Sequence, residues 1–376
     1  MAQGRQATNE GLRGLEGVRE QAERILARAE AGDSQHFVPD PAAEDRVAEA
    51  LAAALTAGGL ARLPPLQTVW HALRGGQPAL LDRLAAGVQH LDAHERARCG
   101  LDLGALAVLL DPSGGASSGF LALCDDYANG LLAAVPGASS PRLEADGLAR
   151  WLGTEAGRLG DDGHAGRRLL ALVGGLRAER VFFGASGRFG LFLDTLLADQ
   201  RGGAVSPAGV ARHLAPLVAR LHAGAGGATA VRNLGDVWRL PGLGGPGDRV
   251  PFHALLQAML LVLVEPMGEA ELRFDDEAGL GVPATAALAR QTLRLGLLRP
   301  RHPAVARLVH PPGSDIVVEL RALALALTGR LADRARDALG LAPADLPDVR
   351  LVTPLARLAA SWDRPGPTIA IAPSLF

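Results

Sequence analysis

Lysine is missing altogether: all 38 basic side chains of the 376-residue chain are arginines. That excludes Schiff-base chemistry, a lysine nucleophile and the lysine of a phosphate-binding P-loop. Cysteine is nearly missing too. Cys99 and Cys124 cannot build a disulfide framework and neither lies in a CxxC arrangement, so free thiols in a reducing cytoplasm are expected. Charge of one sign is lacking: 38 basic against 40 acidic residues leave a formal net charge of -2, which gives no footprint for nucleic acid or an anionic membrane surface. There is no long hydrophobic run either. The longest, ALLQAMLLVLVEPMG (254–268), is too short to span a bilayer and ends at Glu265-Pro266, so a buried core helix is expected there. The opening MAQGRQATNEGLRGLEG carries no apolar stretch of the kind a secretory signal needs.

What is present is apolar and helical in pattern. Hydrophobic residues make up 48% of the chain, enough to bury a large core in one big domain or two ordinary ones. Leu12, Leu15, Val18, Ile25 and Leu26 recur at helical spacing over 12–31, closed by Gly32. Further helices are predicted over 43–57, within 77–110, and over 206–224, 251–265, 283–298 and 315–339. The middle, 112–190, is broken by turn signals, and only TIAIA near the end reads as a short strand. β-branched residues are sparse and no βαβ spacing occurs, so the fold class expected is all-α. The reading is a flexible stretch over 1–11 followed by a single helical domain over 12–376, within which a helical subdomain could end at about residue 130.

Three tidy motifs lack the surroundings their chemistry requires. GLGGPG (242–247) satisfies G-x-G-x-x-G but carries Pro246 and no βαβ unit. GASSG (115–119) matches a nucleophile elbow at Ser117 without a sheet to present it. His90 and His94 sit one predicted helical turn apart without a third ligand. No metal and no cofactor is expected.

Four clusters remain. NLGDVWRLPG (233–242) crowds Asp236, Trp238 and Arg239 into four residues. In RVPFHALLQ, Pro251 suits a first helical turn and places His253 and Gln257 on one face. In the apolar stretch from 307 to 327, Ser314 or Asp315 caps a helix on which Asp315 and Glu319 share a face, while Glu319 and Arg321 point to different sides. The fourth cluster is Trp70, His71 and Arg74. A carboxylate beside an indole and a guanidinium suits a planar polar ligand and a developing positive charge. Breakage of an N-glycosidic bond creates such a charge on the sugar.

Four stretches, EGVREQAERILARAEAGDSQHFVPDP, LGDVWRLP, RVPFHALLQAMLLVLVEPM and HPPGSDIVVELRALALALTGRL, resemble in order and spacing the uracil-catabolism protein family of fungi and bacteria. More distantly, GVREQAERI, DVWRLP, VPFH and VVELRAL resemble the queuosine-salvage nucleoside glycosidase, an all-helical enzyme with a catalytic Asp. The first resemblance implies a role after a cyclohydrolase-like step in pyrimidine breakdown, on ribosylurea or its phosphate. The second makes Asp236 the first candidate for the catalytic carboxylate. Two runs of the family pattern, Arg-Ser-Glu-Gly-Leu and Tyr-Arg-Asn-Gly-Gly, do not occur here, and WHAL (70–73) keeps the Trp but shifts the His. The function expected is therefore N-ribosyl hydrolysis of a small ribosyl compound, with Asp236, Glu319 and His253 catalytic. Trp238, Arg239, Gln257, Asp315, Arg321 and Trp70 would bind substrate. The rival expectation is an inactive ligand-binding or partner protein on the same fold. The oligomeric state is left open.

Overall fold

The computed structural model describes residues 12, 14–58, 64–66, 68–110, 118–138, 140–159, 164–223, 234–363 and 365–372. Ser117 of the nucleophile-elbow match and the 1–11 stretch lie outside them. The described residues form fifteen α-helices and the protein is all-α. In chain order these are α1 (Glu16–Glu30), α2 (Pro41–Ala57), α3 (Val69–Gly76), α4 (Pro78–Val88), α5 (Ala93–Leu110), α6 (Ser118–Ala128), α7 (Ala145–Glu155) and α8 (His164–Ala178). They continue with α9 (Arg180–Phe183), α10 (Phe192–Asp199), α11 (Pro207–Ala223), α12 (Ala254–Glu269), α13 (Ala286–Arg294), α14 (Asp315–Leu339) and α15 (Val352–Ala360). Among the described residues no helix is long and apolar enough to cross a membrane.

The chain divides into two units. The first comprises residues 1–67, 226–257 and 276–376, and the second 68–225 and 258–275. The sequence reading placed no boundary at 67, 225, 257 or 275.

In the first unit α14 is the central helix. Its apolar residues surround the whole circumference, and Val317 to Gly329 are buried without interruption, which marks a helix enclosed by others rather than one on a surface. Helices α1, α2 and α13 pack against it. Ser314 caps it by accepting from Val317 N at 3.4 Å, and Gly340 at φ +65° ends it. Two antiparallel strand pairs sit beside these helices: Phe37–Pro39 with Leu298–Pro300, and Val237–Arg239 with Arg249–Pro251. The second pair is a hairpin whose connection is the Gly-rich GLGGPG stretch, folded as two short 3-10 turns. No helix begins inside it, as a dinucleotide-binding loop would require. The strand-like TIAIA supplies Ala370–Ile371, paired in parallel with Val309–His310.

Helix α12 departs from expectation at both ends. Pro251 is not in its first turn but pairs with Val237 in the hairpin. At the far end the helix runs through Pro266 to Glu269. Proline has no N–H to give the carbonyl four residues back, and here Trp70 Nε1 donates to that Val262 carbonyl at 2.9 Å instead. Glycines on α5 leave room for the ring: a Cβ at Gly100 would lie 3.0 Å from Pro266 Cγ, and one at Gly104 would overlap Val262 Cγ1. Beside them Arg74 forks onto Glu265, Nη1 to Oε2 at 2.7 Å and Nη2 to Oε1 at 2.5 Å. The Trp70 cluster thus completes the backbone and charge pairing of α12.

His90 and His94 do not share a helical turn, because α4 ends at Val88 and α5 begins at Ala93. Both are exposed. Among the described residues no group of three or more His, Cys, Asp or Glu is arranged to hold a metal.

Trp70→Phe keeps the ring and removes the donor, so a buried carbonyl loses its partner at a cost of about 1–3 kcal/mol. Urea unfolding measures this, and an unchanged midpoint would show that Val262 O needs no donor.

Candidate functional site

The NLGDVWRLPG stretch becomes the first strand of the hairpin, and its acid turns inward. Asp236 is 1% exposed. Its Oδ2 accepts from Arg321 Nη2 at 2.8 Å and from Ala254 N at 3.1 Å, while Oδ1 accepts from Arg321 Nη1 at 3.2 Å and Trp238 Nε1 at 2.5 Å. Arg321 comes from α14 and is equally buried. Its Nε donates to the Ala284 carbonyl at 2.7 Å, and its guanidinium carbon lies 4.0 Å over the Phe252 ring. A bidentate fork, a stacked face and a satisfied Nε are what a guanidinium needs to sit in a core. Asp236, Trp238 and Arg321 are therefore brought together, as a lock between the hairpin and α14.

His253 is next to this lock. It precedes α12 at φ +51°, a backbone region costly for a residue with a Cβ. Its Nε2 donates to the Leu12 carbonyl at 2.8 Å. Burial pushes the imidazole below its ordinary pKa, against the opposing pull of Asp236 and Leu12 O, so it is neutral at neutral pH. Gln257, one turn on, donates from Nε2 to Leu280 O at 3.5 Å, and its Oε1 is buried without a donor among the described residues.

Glu319 faces another way, into a small cleft open to solvent. Arg28, Asp33, Ser34, Leu240 and Leu243 line it together with Glu319. Ser34 Oγ donates to Glu319 Oε1 in a short hydrogen bond. Burial raises the Glu319 carboxyl above its ordinary range, opposed by Ser34, by the backbone of His36 and by the positive fields of Arg301 and Arg28. Asp33, exposed, shares the lining of the cleft with the buried Glu319.

The remaining candidates are not among the residues that line the cleft or form the lock. Arg239 follows the strand outward and pairs with Asp248 at 3.6 Å. Asp315, half-exposed, begins α14. Trp70 belongs to the second unit. Asp33 and Ser34 escaped notice because GDSQHFVPDP reads as a connector, and Arg28 because it stands among the charged residues of α1.

Asp236→Ala leaves Arg321 charged and buried without its counter-ion. The expected cost is about 3–5 kcal/mol, read from urea unfolding, and a loss below about 1 kcal/mol would mean that the pair holds nothing in place.

A family model described as "Protein of unknown function (DUF1688)" matches residues 11–124 and 159–368. No curated protein matches the chain. The matched stretches take in both the Asp236–Arg321 lock and the Glu319 cleft, and on that coverage the chain belongs to the DUF1688 family.

Proposed function

We propose that the chain hydrolyses the C–N bond between a ribosyl group and a urea-like or nucleobase-like leaving group, at the Glu319 cleft. The observation that carries the reading is a carboxyl whose ionisation burial disfavours, on the lining of the described cleft, with a second carboxyl, Asp33, on the same lining. Glycosidic cleavage uses two carboxyl groups in unequal environments. Glu319 gives its proton to the departing nitrogen as the C–N bond breaks. Asp33 takes a proton from water as the new C–O bond forms at the ribosyl carbon. In this reading Asp236 is a positioning residue: through Arg321 it fixes α14, which carries Glu319, against the hairpin that supplies Leu240 and Leu243. The likeness of the four stretches to the uracil-catabolism family supports the substrate class.

One observation favours a second reading, a protein that binds such a ligand without turnover. Asp236, the carboxylate that the glycosidase likeness singles out, is committed to Arg321, Trp238 and Ala254 N.

Incubation with ribosylurea, ribosylurea phosphate and a panel of nucleosides, followed by assay of free urea or base, separates the two. Release of urea or base supports hydrolysis, and ligand-raised unfolding midpoints without release support binding alone. Glu319→Gln is expected to lower kcat by about 100-fold or more.

The same substitution has a signature in stability. Because the folded carboxyl has a raised pKa, its contribution is fully present below the unfolded value of about 4.3 and is lost as pH rises through the folded value. Glu319→Gln should therefore unfold at a higher temperature than the wild type at neutral pH and at the same temperature near pH 4. A lower midpoint at neutral pH would show that the ionised carboxylate is a stabilising group and not a strained acid.

A further inference from the structure

The second unit holds a cluster of charged side chains that the proposed reaction leaves unused. Glu95, in the first turn of α5, sends its carboxylate into donors from three separate stretches of chain. Arg188 Nη1 donates to Oε1 at 2.7 Å and Arg98 Nη1 to Oε2 at 3.2 Å. Ser140 Oγ lies 3.5 Å from Oε1, and Arg142 Nε, which also donates to Ser140 Oγ at 3.2 Å, lies 3.9 Å from it. Two carboxylate oxygens serve four side chains.

Those four side chains are held by groups other than Glu95. Arg188 is 4% exposed, and its Nε donates to the fully buried Asp102 Oδ2 at 2.9 Å. Asp102 is fixed in turn by Gly190 N at 2.6 Å and Leu143 N at 3.3 Å. Arg98 is anchored by Asp194 at 2.6 Å. Cys99 Sγ donates to the Pro141 carbonyl at 3.3 Å, which pins the stretch carrying Ser140 and Arg142. The Glu95 side chain is itself partly exposed, at 15%, beside the more open Arg98 and Arg142 at 24% and 40%.

Donors also exceed acceptors. Arg98 Nε is buried with no acceptor among the described residues. A carboxylate offers two oxygens in one plane, whereas a tetrahedral anion offers four and can meet guanidiniums arriving from different directions. Once Glu95 swings out, the three guanidiniums are opposed by Asp102 and Asp194 alone, so one positive charge is left uncompensated.

We propose that Arg98, Arg142, Arg188 and Ser140 form a binding site for a tetrahedral oxyanion of the phosphate class, in which Glu95 is the built-in occupant that the anion displaces. The site is independent of the Glu319 cleft. Its ligand is either free phosphate or the phosphate group of a larger metabolite.

Calorimetric titration of the full chain with inorganic phosphate and with methyl phosphate, at neutral pH and constant ionic strength, tests this. Glu95→Gln removes the competing charge and is expected to tighten binding of both probes by about tenfold. Arg142→Gln, at a side chain 40% exposed and therefore tolerant of change, is expected to weaken phosphate binding to the wild type by about tenfold. Tighter binding of methyl phosphate than of inorganic phosphate supports the site and identifies a phosphorylated metabolite. The reverse order supports it and identifies free phosphate. If Glu95→Gln does not fold, the comparison of wild type with Arg142→Gln decides alone. Equal affinity in those two proteins, or no heat of binding in the wild type, overturns the proposal.

Discussion

The first unit depends on one buried ion pair, Asp236 with Arg321. Neither charge is reached by water, and each is the other's principal counter-charge. A charge in such a place must be paired and fully hydrogen-bonded or the fold cannot keep it. The fork therefore dictates where the hairpin stands on α14, to within the tolerance of two hydrogen bonds. Everything that makes the cleft follows from that register. The chain following the strand brings Leu240 and Leu243 to the cleft lining, and α14, two residues before Arg321, brings Glu319. The lock thus sets the geometry of the carboxyl that lines the cleft.

The same arrangement explains the unequal fates of two acids that look alike in the sequence. Asp236 meets a guanidinium, an indole N–H and a backbone N–H, so its charge is compensated in place. Glu319 meets a hydroxyl, the backbone of His36 and the fields of Arg301 and Arg28, with no guanidinium paired to it, and burial outweighs them. Holding a carboxyl where burial disfavours its charge costs stability, and Glu319 is in that position.

Much of the fold was legible in the residues. The pattern from 315 to 339 marks α14 to the residue, because Ser314 caps one end, Gly340 ends the other and the run between is apolar on every side. The divergence of Glu319 and Arg321 was legible too, from helical geometry alone. The bounds of α12 were not. Pro251 and Pro266 are ordinarily helix punctuation, but one is absorbed by a strand partner and the other by a tryptophan nearly two hundred residues away in sequence. That compensation is tertiary, and no local rule reveals it. The site was half legible for the same reason. Arg239 was grouped with Asp236 by proximity, yet it points outward at the strand's exposed end. Ser34 looked like a loop residue because its partner, Glu319, follows 285 residues later.

The account's central claim is that the fold holds Glu319 as an acid reluctant to ionise, with its position set by the Asp236–Arg321 lock. Carbon-13 NMR titration of the Glu319 carboxyl in the intact chain tests this most directly. A midpoint above the unperturbed glutamate value of about 4.3 is the result the account requires. A midpoint at or below that value would contradict it, because the carboxyl would then be an ordinary solvated or ion-paired group and not a proton donor kept in readiness.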